Sequence, residues 1–399
     1  MTALVPDSST AGPGAIPAPP EPSARQRAKR IFRFLLPACA VYAVTTALHL
    51  LILSAMSDAD GPGLRKRLLA WDGNLYVGIA QDGYAHAYSY NDDGSLTGNN
   101  LAFFPLFPML IRAVHAVTWL DWGTSGIVAA HLALLAALIV VHRLLARLHG
   151  ERTALCAIVL LAGAQPMALS FLMSYSESLF LALAAGTLLA AHRKAWLTAG
   201  TLALLTGLTR PAAAAVAAAL AVAALLHLLR ERRITPRPVA AVVLGCLGTP
   251  LYLWWVGQRI GESDAWFRIQ EAGWGTHWDN GAAFLDFLGE TLHRGEGWVS
   301  VSTAVLLLAL GCATVLTWHR GTWPPLLVHG TGIVVLTLAQ SNYSHSKLRL
   351  LIPAVLFLVP AARALAAART RTAVTVLCAA TLFGCWYGAF MLTVWKYAI

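Results

Sequence analysis

Apolar residues in this chain gather into runs of about 20, the length a helix needs to cross the roughly 30 Å hydrocarbon layer of a bilayer. Such runs leave few alternatives. Inside hydrocarbon every backbone N–H and C=O must be satisfied within its own segment, which favours helices over irregular chain. Apolar residues make up 57% of the 399 and charged ones 12%, and the runs are apolar all round rather than along one stripe. A soluble core would show shorter apolar segments broken by solvated faces. The expected fold class is therefore all-α, a polytopic integral membrane protein with about 11 transmembrane helices, counted from runs of spanning length. They begin near residues 31, 125, 153, 176, 195, 211, 238, 298, 323, 348 and 372.

A further run, 101–120, carries Pro105 and Pro108 at its start and Arg112 and His115 in its middle. It suits a juxtamembrane or re-entrant helix better than a span. Charge supports that choice. If the run does not cross, 18 of the 29 basic residues fall on the side of the N-terminal run "RQRAKR", together with only four acids. Basic residues collect in short cytoplasmic loops, so the N-terminus is placed in the cytoplasm and two long loops, about 54–124 and 258–297, outside. The same bias accounts for the net charge of +10 without any nucleic-acid partner. Residues 1–24, rich in Pro, Ala, Ser and Gly, are expected to form a disordered cytoplasmic tail ahead of a domain over 25–399. The stretch from about 32 to 53 is long enough to stay as an anchor rather than be cleaved as a signal peptide. All six cysteines lie in apolar segments without CxxC or Cys/His spacing, and read as small hydrophobes rather than as disulfides or a zinc site.

The polar chemistry concentrates in the two long loops. In "AWDGNLYVGIAQDGY", residues 70–84, Leu68, Trp71, Leu75 and Ile79 recur at helical spacing, which predicts one amphipathic helix from Leu64 to Ala80, ended by Gly83. Asp72 and Tyr76 share a face, whereas Asp82 is rotated from them by roughly 80° at 3.6 residues per turn. Asp72 suits removal of a proton from an acceptor hydroxyl, and equally suits a helix cap or an Asp-Gly turn. Trp71 and Tyr76 fit either sugar platforms or interfacial anchors.

Four further places carry polar residues where lipid is expected. Glu177, in "SYSES", opens a helix, where an acid is favourable for dipole reasons alone. Arg210 precedes Pro211 between two apolar runs and fits an anion site better than simple snorkelling. His345, Lys347 and Arg349 set cationic groups beside an apolar wall, as a lipid phosphate requires, or as ordinary headgroup anchoring does. In the second loop Gln270 and Trp274, with Trp278 nearby, offer amide and ring surfaces for a sugar or an aromatic belt.

Taken in order, "WDGNLYVGIAQDGY", "NLAFFPLFPML", "SYSESLF", "LTRP", "WFRIQEAGW" and "SKLRLLIPAVLF" resemble bacterial relatives of the second mannosyltransferase of GPI-anchor assembly, the PIG-V-like proteins of the GT-C class. The resemblance covers roughly residues 30–395. It implies a GT-C-like membrane enzyme that moves a mannose-type sugar from a polyprenyl-phosphate donor, with inversion, on the extracytoplasmic side of a bacterial cell membrane. It maps the essential loop acid onto Asp72 and further motif residues onto Glu177, Arg210, Gln270 and Trp274. Where that family carries an Arg-Tyr pair, this chain reads Leu348, Arg349, Leu350.

The expected assignment makes Asp72 the catalytic base and places the donor phosphate on Arg210, Lys347, Arg349 and His345. Trp71, Tyr76, Asp82, Glu177, Gln270 and Trp274 bind substrate. A phosphate leaving group departs as a stable anion, so the chemistry demands no cofactor, and a divalent metal is optional. The partners are a polyprenyl-phosphate-linked sugar, membrane lipids and an acceptor the sequence does not identify. A transporter or lipid flippase without catalysis is the rival reading. It calls for ionisable groups near mid-membrane and an inverted repeat, neither of which the sequence shows clearly.

Overall fold

The computed structural model describes residues 24–58, 60–295 and 297–397, with the backbone alone described over 24–34. The expected tail before residue 24 lies outside the described residues. Helix α1 (Ala24–Ala55) contains Pro37, where the chain divides into two units, Met1–Pro37 and Ala38–Ile399. The second unit holds both long loops and every helix after α1.

The first loop folds as α2 (Leu64–Leu68), α3 (Asp72–Asp82), a hairpin of β1 (Ser89–Tyr90) and β2 (Leu96–Thr97), and α4 (Leu106–Thr118). The single helix expected over 64–80 is therefore two. Its break falls at Trp71, whose φ of 51° departs from helical geometry. The carbonyls freed at the break find long-range partners: Leu68 O accepts from Ser174 N–H at 3.0 Å, and Ala70 O from the Tyr175 hydroxyl at 3.3 Å. Gly83, at φ 87°, ends α3 as expected, in a region that favours glycine. With 13 residues α4 is about 20 Å long, too short to span, and it packs on α3 and α5.

Seven helices carry the chain from the first loop to the second: α5 (Trp122–His149), α6 (Glu151–Val159), α7 (Glu177–His192), α8 (Trp196–Gly207), α9 (Ala213–Glu231), α10 (Pro236–Ile260) and α11 (Ala265–Trp274). Asp121 caps α5 by accepting from Thr124 N–H at 3.1 Å. After α6 the chain passes through a π-turn (Leu160–Ala164) and a 3-10 turn (Ala168–Leu172), both largely buried, before Glu177 opens α7. The second loop continues with β3 (His277–Trp278), paired antiparallel to β4 (Gln340–Ser341), and α12 (Ala282–Arg294). Helices α13 (Trp298–Arg320), α14 (Pro324–Leu338), α15 (Lys347–Leu351), α16 (Leu358–Ala367) and α17 (Thr370–Thr393) complete the fold.

This is a multi-pass membrane protein. Among the described residues six helices are long and apolar enough to cross, or seven if the bent pair Ser344–Leu351 and Val355–Ala367, angled at 79°, is one span. That measure does not confirm 11, because α6, α7, α8 and α14 occupy expected runs but are shorter than a full span. Two apolar cores form. One fills the helical body. The other (Tyr76, Phe104, Phe107, Ile111, Tyr252, Trp266 and neighbours) is built from α3, the 101–104 segment, α4 and α11 against parts of α5 and α10, so that the two long loops share one core.

Helices α8 and α10 pack backbone to backbone through glycine, the small-residue contact common between membrane helices. A Cβ on Gly248 would come within 2.2 Å of Leu204 O, and one on Gly207 within 2.8 Å of Gly248 Cα. Gly248→Ala is expected to cost about 1–3 kcal/mol through overpacking. The thermal melting of detergent-solubilised protein should report this against Gly311→Ala, whose added Cβ meets nothing within 4 Å.

Candidate active site

The site begins at two helix starts. Asp72 is the first residue of α3 and Glu177 the first of α7, where the helix dipole favours a negative charge. Both carboxylates converge on one guanidinium. Arg349 Nη1, from α15, lies 2.9 Å from Asp72 Oδ2 and 3.2 Å from Glu177 Oε1. Arg210, in the link between α8 and α9, brings its Nη1 to 2.8 Å from the same Glu177 oxygen. The result is a chain of alternating charges, Asp72, Arg349, Glu177, Arg210, whose formal sum is zero. Its side chains are 17%, 11%, 1% and 16% exposed respectively. The guanidinium of Arg349 also sits 4.8 Å over the Tyr175 ring, a favourable place for a desolvated cation.

These four residues line a cavity of about 410 Å³, and the remainder of its wall carries no Lys, Arg, Asp or Glu. Seven large aromatic residues face it from the two loops and the segment before α15: Phe103, Phe104, Trp266, Phe267, Trp274, Trp278 and Tyr343. Tyr76 also lines it, with its hydroxyl 2.8 Å from Ser176 Oγ and its ring edge-on to Phe103 and Phe107.

The backbone over 101–103 is clamped by side chains from around it. Ala102 O accepts from Trp266 Nε1 at 3.3 Å and Gln270 Nε2 at 3.0 Å, and Tyr252 donates to Leu101 O and Phe103 O at 3.0 and 2.7 Å. Nearby the two loops also meet glycine on glycine: a Cβ on Gly98 would meet Gly273 Cα at 2.5 Å and the Trp274 ring at 2.8 Å. Trp274 is thereby held edge-on to Phe103, their ring centroids 5.3 Å apart.

The structure brings Asp72, Tyr76, Glu177, Arg210, Gln270, Trp274 and Arg349 to one cavity and leaves the other expected site residues outside its lining. Asp72 is neither the N-cap nor part of an Asp-Gly turn, since both residues lie within α3. Trp71 is half-buried against the main core, and Asp82 is exposed at the far end of α3. His345 stacks on Tyr343 and meets Trp395 edge-on.

Lys347 is fully buried, and its ammonium donates to Thr337 O at 3.1 Å and Gln340 O at 2.7 Å. It lies outside the cavity lining, whereas the sequence reading expected a phosphate ligand there. Lys347 and Arg349 are two residues apart on a helix and so point about 200° apart. Only one of them can face the cavity. The basic run at α2 is likewise engaged: Arg65 pairs with Asp121, and Arg67 donates to Pro62 O and Leu392 O.

Asn342 is a site residue that sequence reasoning misses: it lines the cavity, and its Oδ1 is buried without a hydrogen-bond partner among the described residues. A lone amide in "SNYSHS" has no spacing to mark it. Below the mouth, Asp279 accepts from Gly281 and Ala283 N–H, each at 2.8 Å. The bond from Ala283 above all holds its carboxyl below the ordinary aspartate range, and Lys347 adds to the effect.

No family model and no curated protein matches the chain. Among solved structures it is similar to ArnT from Cupriavidus metallidurans bound to undecaprenyl phosphate, at 16% identity and a TM-score of 0.50, over 84% of this chain and 60% of that one. The apo state of the same protein matches at 16% identity and a TM-score of 0.50, over 87% and 61%. The chain thus spans about three-fifths of the ArnT chain. At this identity the likeness establishes the fold: the GT-C-like, all-α membrane architecture.

Breaking a buried ion pair by removing one partner typically costs about 3–5 kcal/mol, because the other charge is left uncompensated. Glu177→Gln, which leaves Arg210 without a carboxylate and Arg349 with Asp72 alone, is expected to fall in that range. Adding Arg210→Met should recover part of the loss, and a double-mutant cycle on melting temperature checks the coupling.

Proposed function

We propose that this protein is a glycosyltransferase that moves a sugar from a polyprenyl-phosphate donor to an acceptor hydroxyl with inversion. One observation carries the reading: a carboxylate, Asp72, and two guanidiniums, Arg349 and Arg210, bridged by Glu177, share a cavity whose remaining wall is rich in aromatic rings and has no Lys, Arg, Asp or Glu. The ArnT structure was solved bound to undecaprenyl phosphate, which supports a donor of that kind.

In this mechanism Asp72 takes the proton of the acceptor hydroxyl as its oxygen attacks the anomeric carbon. The carbon–phosphate oxygen bond breaks on the opposite face, which inverts the centre. The leaving polyprenyl phosphate gains a second negative charge, and Arg210 and Arg349 meet it more strongly in the transition state than in the ground state. Glu177, between the two guanidiniums, keeps them together against their mutual repulsion rather than touching the sugar. Trp274, Trp266 and Phe103 offer ring faces to the sugar, with Gln270 and Asn342 beside them for directed hydrogen bonds. Mannose as the sugar rests on the PIG-V-like motifs, and an extracytoplasmic site on the charge bias of the loops.

Asp72→Asn is expected to lower label transfer from labelled polyprenyl-phosphomannose in membranes by a factor of at least about 10², with abundance retained and a smaller drop in melting temperature than Glu177→Gln, because Arg349 keeps Glu177. Transfer by the wild type should persist in EDTA. Undiminished transfer by the Asn variant overturns the assignment of the base, and donor-dependent transport without any labelled product favours the rival transporter.

A further inference from the structure

Lys347 is a fully buried ammonium that, among the described residues, forms no ion pair at bonding distance. Burying such a group is costly, so its surroundings must hold it well. Its two acceptors lie three residues apart, where α14 gives way to β4. Thr337 is in the last turn of α14, where carbonyls lack intrahelical partners and a cation is favourable. Gln340 belongs to β4, and its pairing partner on β3 is Trp278.

Asp279 continues the connection. Its N–H donates to Ala339 O at 3.2 Å, and its carboxylate holds the Gly281 and Ala283 N–H groups at the start of α12. One side chain therefore holds the backbone over 337–340, whose strand β4 pairs with the strand that carries His277 and Trp278, two lining residues of the cavity. Lys347 is itself the first residue of α15, the helix that presents Arg349.

We infer that Lys347 is a positioning residue: its ammonium fixes the His277–Trp278 wall of the cavity at a set distance from the Arg349 guanidinium. This rests on the glycosyltransferase reading only for its consequence on turnover. The contact itself is independent of that reading. The principle is ordinary preorganisation, in which groups around a reaction must be held to a fraction of an ångström by residues that do not touch the substrate.

The test uses the full-length protein in detergent or native membranes, undecaprenyl phosphate as the probe of the anion site, labelled polyprenyl-phosphomannose as the donor, and trypsin as the probe of the second loop. Lys347→Met keeps the length and removes the donors, while Lys347→Arg keeps the donors. Lys347→Met should bind undecaprenyl phosphate within threefold of wild type yet transfer at least tenfold more slowly at saturating donor, and Lys347→Arg should regain much of the rate. Cleavage after the exposed Arg268 and Arg294 should rise at least tenfold in Lys347→Met. Lys347→Gln, which keeps a neutral donor but is too short to reach both carbonyls, should show both effects in weaker form and decides the matter if Lys347→Met does not fold.

A tenfold or greater loss of undecaprenyl phosphate affinity at unchanged melting temperature would make Lys347 a phosphate ligand and overturn the inference. Wild-type transfer and wild-type cleavage in both variants would do so as well. If the wild type itself neither binds the probe nor transfers label, the glycosyltransferase reading fails. The tryptic comparison then still decides whether Lys347 holds the loop.

Discussion

The site depends on one guanidinium shared by two carboxylates. Arg349 reaches both Asp72 and Glu177 through the same nitrogen, and burial of these side chains strengthens the Coulombic attraction between them. Neither acid would be stable so deep without a cation, and Glu177, nearly inaccessible, has two. The alternation of charge lets four ionised groups crowd into one place at no net charge. It also leaves the ensemble poised, because an anion arriving at the arginines competes with carboxylates for the same donors.

Delivering those groups requires interrupted helices. Asp72 and Glu177 stand at helix starts because the chain breaks just ahead of each, at Trp71 and in the turns before α7, and the broken ends satisfy one another through Ser174 and Tyr175. Arg210 sits in the short gap before α9, and Arg349 on a helix of only five residues. Irregular backbone within a membrane protein is tolerated where it is buried in protein or borders a cavity, and here it does both. The loops' separate aromatic core keeps this broken region rigid from the other side.

Much of this is legible in the sequence because a membrane makes polar exceptions conspicuous. Asp72, Glu177, Arg210 and Arg349 each stand in or beside apolar runs, and each is conspicuous on that ground alone. The helical character follows from run length, and the end of α3 from Gly83. Direction is not legible: nothing in "SKLRLL" says whether Lys347 or Arg349 turns to the cavity, since that depends on the rotation of a five-residue helix against α14. The break at Trp71 is hidden too, because the apolar spacing continues smoothly through it while distant hydrogen bonds override the local pattern. Asp82 and Trp71 look like site residues by proximity in sequence, yet a helix carries neighbours to different faces. The helices shorter than a span are hidden within apolar runs of spanning length, where composition records apolarity but not where a helix stops.

The contact between Gly98 and Gly273 has a bearing on how such a site can diversify. With two backbones in van der Waals touch, neither loop has room for a side chain at that point, and Trp274 takes its position from the junction. The two loops, though 175 residues apart at this junction, are thus packed as a single unit. A new specificity grafted by exchanging one of them would import a partner mismatch at the seam, so variation is confined to paired changes or to the aromatic rings that the seam leaves free.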